Sequence, residues 1–177
     1  PIRKEIPIYL AAINQKMVEM TWDIADGVIF YLRPKDEMKE TISKMQKKKK
    51  IDTALQIITC IHNDHEKATK RAKKTLSFYI AVGKIYREFL QSRGYSEEIQ
   101  IIYDEYKKGG LIGLEKFVPD KMIDDLCIAG TPDTAVKKLN GFRDVGIDLP
   151  IIQFNPIDNV RESFELLTKT FSGGLNE

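Results

Sequence analysis

Short apolar runs alternate with amphipathic helical segments along most of this chain, and that alternation restricts the fold more than any single motif. Ile8 to Phe30, IYLAAINQKMVEMTWDIADGVIF, fits an apolar run, a sharp turn, a helical segment and a second apolar run into 23 residues. Ile6 to Ala12 has little polar alternation, the pattern of a strand buried on both faces. Asn14 can cap the next helix, on which Met17, Met20 and Ile24 recur at helical spacing. Gly27 closes the unit.

The same grammar continues downstream. Val28 to Leu32 reads as a second strand, and Pro34 with Asp36 opens a helix through Met38, Ile42 and Met45. That helix runs into the cations Lys47 to Lys50, favourable at a helix C-terminus. Thr53 to Ile61 reads as a third strand. Asn63 or Asp64 then caps a long basic helix carrying Ala68, Ala72, Leu76 and Tyr79. Residues 82–128 read as a helical insertion, too long for an ordinary connection, with Ser96 capping EEIQIIYDEY inside it. Thr131 and Pro132 supply the N-cap and first residue of a further helix. It turns Val136, Leu139 and Phe142 inward and stops at Gly146. Leu149 to Phe154 is a fourth strand. Asp158 or Asn159 starts a last helix with Val160, Phe164, Leu167 and Phe171 on one face, ahead of a Gly173-Gly174 tail.

Strands joined by helical crossovers are parallel, so the fold class is α/β in a single domain over residues 1–177. Two architectures satisfy the order. An open doubly wound sheet is complete with four strands. A (β/α)8 TIM barrel needs eight strands and about 250 residues, and four strands are half of one. Periodicity does not choose between them. The chain starts at Pro1 rather than methionine, which we read as the mark of a processed or truncated piece.

Composition narrows the function classes. With 42% hydrophobic and 31% charged residues the chain is an ordinary globular protein, and a net charge of +2 favours neither nucleic acid nor membrane as partner. No apolar run approaches the roughly 20 residues of a membrane span, and no signal-peptide pattern is present. Cys60 and Cys127 sit far apart in apolar stretches and read as buried free thiols of a reducing, cytoplasmic compartment. The cations Lys67, Lys70, Arg71, Lys73 and Lys74 lack interleaved stacking aromatics and read as a solvated helix face.

Candidate chemistry concentrates at strand ends, where parallel α/β folds bind ligands. After the first strand, Ala11 and Ala12 are small enough for a flat or phosphorylated ligand to approach. Asn14, Gln15 and Lys16 offer donors at a helix start. After the second strand stand Tyr31, Arg33 and Lys35, a hydroxyl and two cations suited to a phosphate or carboxylate. His62 and His65 form an H-x-x-H pair without a third metal ligand nearby. Asp26 shapes the turn before Gly27. No G-x-G-x-x-G, P-loop, G-x-S-x-G or C-x-x-C occurs, and no nucleophile–base pair can be assigned.

Three segments, taken in order, resemble one family. IPIYLAAINQKMVEMTWDIADGVIF is similar to the stretch P-I-Y-x-A-A-x-G-P-K-M-x-x-L-A-G-x-x-A-D-G-V of luciferase-like flavin- or coenzyme F420-dependent oxidoreductases. IHNDHEKATKRAKKTLSFYI resembles that family's strand end followed by a long alanine-rich helix. IAGTPDTAVKKLNGFRDVGIDLPIIQFNP resembles its G-T-P-x-x-x-x-x-x-L-x-x-x-x-x-A-G-V-D-x-P-x-x-x-P. The set spans Ile6 to Pro156.

The resemblance implies a (β/α)8 barrel of which this chain is the C-terminal half. It implies hydride transfer between coenzyme F420 and an organic substrate, as in methylenetetrahydromethanopterin reductases. An FMN-dependent luciferase-like monooxygenase is the first alternative, and a non-catalytic half-barrel acting as a binding or assembly module is the second. Cofactor contacts are implied at Ala11, Ala12, Ile13, Asn14, Gln15, Lys16, Ile29 and Phe30, and substrate contacts at Tyr31 and Arg33. The implied partners are a small-molecule substrate and either a second copy or the missing N-terminal half. The chain departs from the motif at its centre, where Asn14-Gln15 replaces glycine-proline. Asparagine tolerates left-handed backbone, but its side chain and that of Gln15 occupy space a glycine leaves empty.

Overall fold

A computed structural model describes residues 5–172. Among these residues the elements run β1 (Tyr9–Ala11), α1 (Gln15–Ile24), β2 (Gly27–Tyr31), α2 (Lys35–Met45), β3 (Asp52–Ile61), α3 (His65–Val82), α4 (Lys84–Leu90), α5 (Ser96–Gly109), α6 (Asp120–Leu126), β4 (Cys127–Gly130), α7 (Pro132–Asp144), β5 (Leu149–Phe154) and α8 (Val160–Ser172).

Every strand pairing in the sheet is parallel. The strands lie in the order β1-β2-β3-β5, with Tyr9 beside Gly27, Ile29 beside Ala54, and Ala54 beside Leu149. These four strands keep chain order across the sheet, without the reversal that defines a doubly wound fold. Four of the helices agree, while α3 lies with the insertion on the other face. α1, α2, α7 and α8 all cover one face, packing on Val28, Phe30, Leu55, Ile57 and Ile61. One-sided winding in sequential order is the wall of a (β/α)8 barrel.

β4 departs from the four-strand reading, because the insertion was expected to extend to residue 128. Cys127–Gly130 pairs with Ile58–Ile61, while Ala54–Thr59 pairs with β5. A strand has two edges, so β4 shares the edge that β2 occupies further down, at Asp52–Gln56. β2 has to leave β3 for β4 to enter. It does so at Leu32, whose φ of 49° breaks the alternation, so that Leu32 joins the opposite core from Phe30. That second core is the insertion. Ala68, Ala72, Leu76 and Ile80 of α3, with Ile99, Ile102, Met122 and Ile123 of α5 and α6, pack on Ile58, Cys60, Cys127 and Ala129.

Other expectations shift in detail. β1 is shorter than Ile6–Ala12 and only half-buried, because it is an edge strand. On α1 the buried stripe is Val18, Thr21 and Trp22, whereas Met20 and Ile24 are 44% and 66% exposed. Trp22 outcompetes the methionines, since its ring stacks on Phe30 and its Nε1 donates to the Lys49 carbonyl at 3.1 Å. Gly27 lies in β2 rather than ending α1. A Cβ there would sit 2.3 Å from the Tyr9 ring, which lies on it while its hydroxyl bonds Asp52. Val136 faces outward and Ala135 takes its inward place. Val160 and Phe164 are exposed, and α8 packs through Leu166, Leu167 and Phe171. Asp64 and Asn159 are the caps chosen from the two open pairs. Gly173-Gly174 lies outside the described residues.

Candidate functional site

The uncovered part of the barrel-inward face is built from alternate residues of β1, β2, β3 and β5. Ala11, Ile29, Ala54 and Leu149 form one layer by register, and Tyr31, Gln56 and Ile151 form the next, towards the strand C-terminal ends. Ala11 is exposed and Ala12 is buried against the helices, so β1 presents only a small side chain on the inward face.

The turn after β1 has an anion-binding form. Asn14 is extended (φ −95°, ψ 164°), and its side chain accepts from the Met17 N–H at 3.0 Å. The left-handed backbone that glycine supplies is therefore not needed here, and the replacement of glycine-proline costs no strain. The N–H groups of Gln15 and Lys16 lie at the first two helical positions, where intrahelical acceptors do not exist. The first turn carries no acidic residue and it does carry Lys16, a combination that favours a negative ligand. The residues present thus fit a phosphate group.

Arg33 has a different place from the one its position after a strand suggests. It is 2% exposed, with its guanidinium between the rings of Phe30 and Phe89 at 4.7 and 4.8 Å. Its Nη2 donates to the Ile13 carbonyl at 2.9 Å and its Nε lies 2.9 Å from Glu37. Burial lowers its pKa to about 10, partly offset by Glu37. The guanidinium thereby ties the turn after β1 to α2 and, through Phe89, to the insertion. Lys35 is also engaged: its Nζ donates to the Asp124 carbonyl at 2.6 Å, and its backbone N–H to Asp125 at 2.9 Å.

Tyr31 is half-buried on the inward face. Its ring meets Tyr79 of α3 and Tyr86 of α4 edge to face, with centroids 5.1 and 5.5 Å away. Its hydroxyl donates to Gln153 Oε1 at 2.8 Å, and burial drives its pKa upward. Ile29 is half-buried on the inward face, whereas Phe30 is buried on the helix side against Trp22. The structure therefore brings Ala11, Ile13, Ile29 and Tyr31 to one face and sends Ala12 and Phe30 to the other. Gln56 and Gln153 escaped the sequence reading. A glutamine inside an otherwise apolar strand was the available signal, since it must find partners on folding.

The histidines have local duties. His62 Nδ1 accepts from the Asp64 N–H at 2.9 Å, and His65 Nε2 lies 3.3 Å from Thr69 Oγ1. No group of three or more metal-ligating side chains occurs among the described residues. A cleft of about 570 Å³ beside His65 is lined by charges of both signs, with Lys73 and Asp120 paired at 2.6 Å.

Comparison with known proteins gives the family context. A 5,10-methylenetetrahydromethanopterin reductase of Archaeoglobus fulgidus is 29% identical over 178 residues, covering 93% of this chain and 53% of the relative. The solved coenzyme F420 dependent tetrahydromethanopterin reductase of Methanopyrus kandleri superposes with a TM-score of 0.76 at 24% identity, over 96% of this chain and 51% of that one. An F420-dependent secondary alcohol dehydrogenase in complex with an F420-acetone adduct superposes at 0.63 and 14% identity, over 95% of this chain and 48% of that one. The chain thus spans about half the length of the relatives it matches. The family model for luciferase-like monooxygenases matches residues 1–149, and the chain belongs to that family.

Proposed function

We propose that this chain is the cofactor-side half of an F420-dependent oxidoreductase that transfers hydride between the deazaflavin and a methylenetetrahydromethanopterin-like substrate. The turn after β1 carries the proposal: two unbonded N–H groups and Lys16 point an anion-binding helix start at the strand ends. The coenzyme F420 dependent reductase and the F420-dependent alcohol dehydrogenase among the solved structures it resembles support that choice of cofactor.

On this reading the bound deazaflavin supplies the hydride chemistry, and the protein supplies placement. The N–H groups of Gln15 and Lys16 hold the phosphate side of the cofactor, with Asn14 fixing where the helix starts. Arg33 acts through the turn by restraining the Ile13 carbonyl. Ala11 leaves room for the ring beside Ile29. Tyr31, Tyr79 and Tyr86 form an apolar wall that keeps water from the reacting face. Tyr31 stays protonated throughout the neutral range because burial raises its pKa.

The substrate assay separates this reading from its rivals. The chain is co-expressed with the N-terminal half of the Archaeoglobus reductase, and the purified complex is given reduced F420 and methylenetetrahydromethanopterin. Oxidation of F420 in step with substrate supports the proposal. Turnover only with reduced FMN and dioxygen would replace it with a monooxygenase. A folded complex inert with both would leave a binding or assembly module.

A further inference from the structure

One cluster on the inward face has hydrogen-bonding capacity that the fold does not use. Gln153 Oε1 accepts from Tyr31 Oη at 2.8 Å and from Gln56 Nε2 at 3.2 Å, which fills both of its lone pairs. Gln153 Nε2 donates to Tyr79 Oη at 3.4 Å. Gln153 is therefore held by three residues from β2, β3 and α3, and it in turn fixes the rotamer of Gln56. Gln56 has one N–H committed, and its other N–H and its Oε1 find no partner among the described residues. A primary amide with one donor and one acceptor to spare can pair with a cis-lactam, which presents an N–H next to a carbonyl. The half-buried rings of Tyr31, Tyr79 and Tyr86 stand beside it. When the inward face is covered, those two amide atoms must be paired or pay for their desolvation.

We propose that Gln56 is a recognition residue for the lactam edge of a planar nitrogen heterocycle, and that Gln153 is its positioning residue. The inference rests on the functional reading above and adds a specificity element to it. Both a deazaflavin or flavin ring and a pterin carry such an edge, so the shared chemistry is the lactam itself. A carboxylate or phosphate is disfavoured, because no cation stands among the named groups.

The test uses small probes and the complex with the N-terminal half. Lumiflavin and pterin are titrated, each against its N3-methyl derivative, which removes the lactam N–H and keeps the ring. The expected result is that methylation of at least one probe weakens binding about tenfold or more, the scale of a lost buried hydrogen bond. That penalty should vanish in Gln56→Leu, shrink in Gln153→Leu, and persist in Gln153→Glu, which retains the acceptor oxygens. A penalty confined to lumiflavin assigns the edge to the cofactor, and one confined to pterin assigns it to the substrate. The proposal is overturned if methylation costs nothing in the wild type, if neither probe binds, or if the penalty survives in Gln56→Leu. It is equally overturned if Gln56→Leu changes only thermal stability. F420 is titrated in parallel: binding of F420 without a methylation penalty removes this inference alone, whereas a penalty without F420 binding removes the functional reading and leaves the lactam site.

Discussion

The guanidinium of Arg33 donates to the main-chain carbonyl of Ile13 at 2.9 Å, from a position almost sealed from solvent. One buried cation thus fastens the turn after β1 to the end of β2, with Glu37 as its charge partner. Arg33→Met should cost about 3 kcal/mol of stability, since it strands a buried carboxylate and a carbonyl. Urea unfolding of the variant measures it. A loss below about 1 kcal/mol would mean that the guanidinium does not anchor the turn.

Gly27 and Tyr9 form a pair whose coupling is measurable. Gly27→Ala places a methyl against the Tyr9 ring and should destabilise the protein by about 1–2 kcal/mol. With Tyr9→Ala in the background the same change should be neutral or stabilising, because alanine is the better strand residue. Equal costs in both backgrounds would show that the ring does not lie on the glycine.

Trp22 is the one tryptophan of the chain and is 1% exposed. Its emission should be blue-shifted in the native protein and move red in a single transition on denaturation. Trp22→Ala should remove about 3–5 kcal/mol, by loss of burial and of the bond to Lys49. Native emission already at the position of the unfolded chain contradicts the packing of α1.

Cys60 and Cys127 predict the alkaline limb of the stability curve. Burial raises the Cys60 thiol to about 12 and also raises Cys127. The folded state therefore holds these protons more tightly than the unfolded state does. Their contribution is complete below the ordinary thiol pKa near 9 and is lost as pH rises from there towards 12. Melting temperature should fall above pH 9, and less steeply in Cys60→Ala. Rapid native-state reaction of both thiols with a disulfide reagent at pH 8 would contradict their burial.

Much of the frame was legible because β2, β3 and β5 are apolar runs bounded by turn residues and long enough to stand out. The caps Asn14, Asp64 and Thr131 were legible for the same local reason. β4 was not: Cys127–Gly130 is four residues long and follows α6 directly, so its apolar side chains extend a helical pattern in the sequence. It becomes a strand only because β2 diverges at Leu32 and opens an edge of β3. The stripe on α1 was ambiguous, since Met17-Met20-Ile24 and Val18-Thr21-Trp22 both have helical spacing. Packing of Trp22 on Phe30 decides it. Arg33 reads as a surface cation after a strand, and its burial depends on Phe89, supplied 56 positions later by the insertion. The site divides in the same way. The turn residues are contiguous and visible, whereas the Gln56–Gln153 pair joins strands 97 residues apart.

In the proposed function the turn after β1 is the helix start that holds the cofactor. The direct measurement is a fluorescence titration of coenzyme F420 into the chain assembled with the N-terminal half of the Archaeoglobus reductase, alongside Lys16→Glu. Saturable binding by the wild type, weakened at least about tenfold when Lys16→Glu places a negative charge at the helix start, is the predicted result. A folded complex that does not bind F420, or that binds it equally well with glutamate at position 16, contradicts the account.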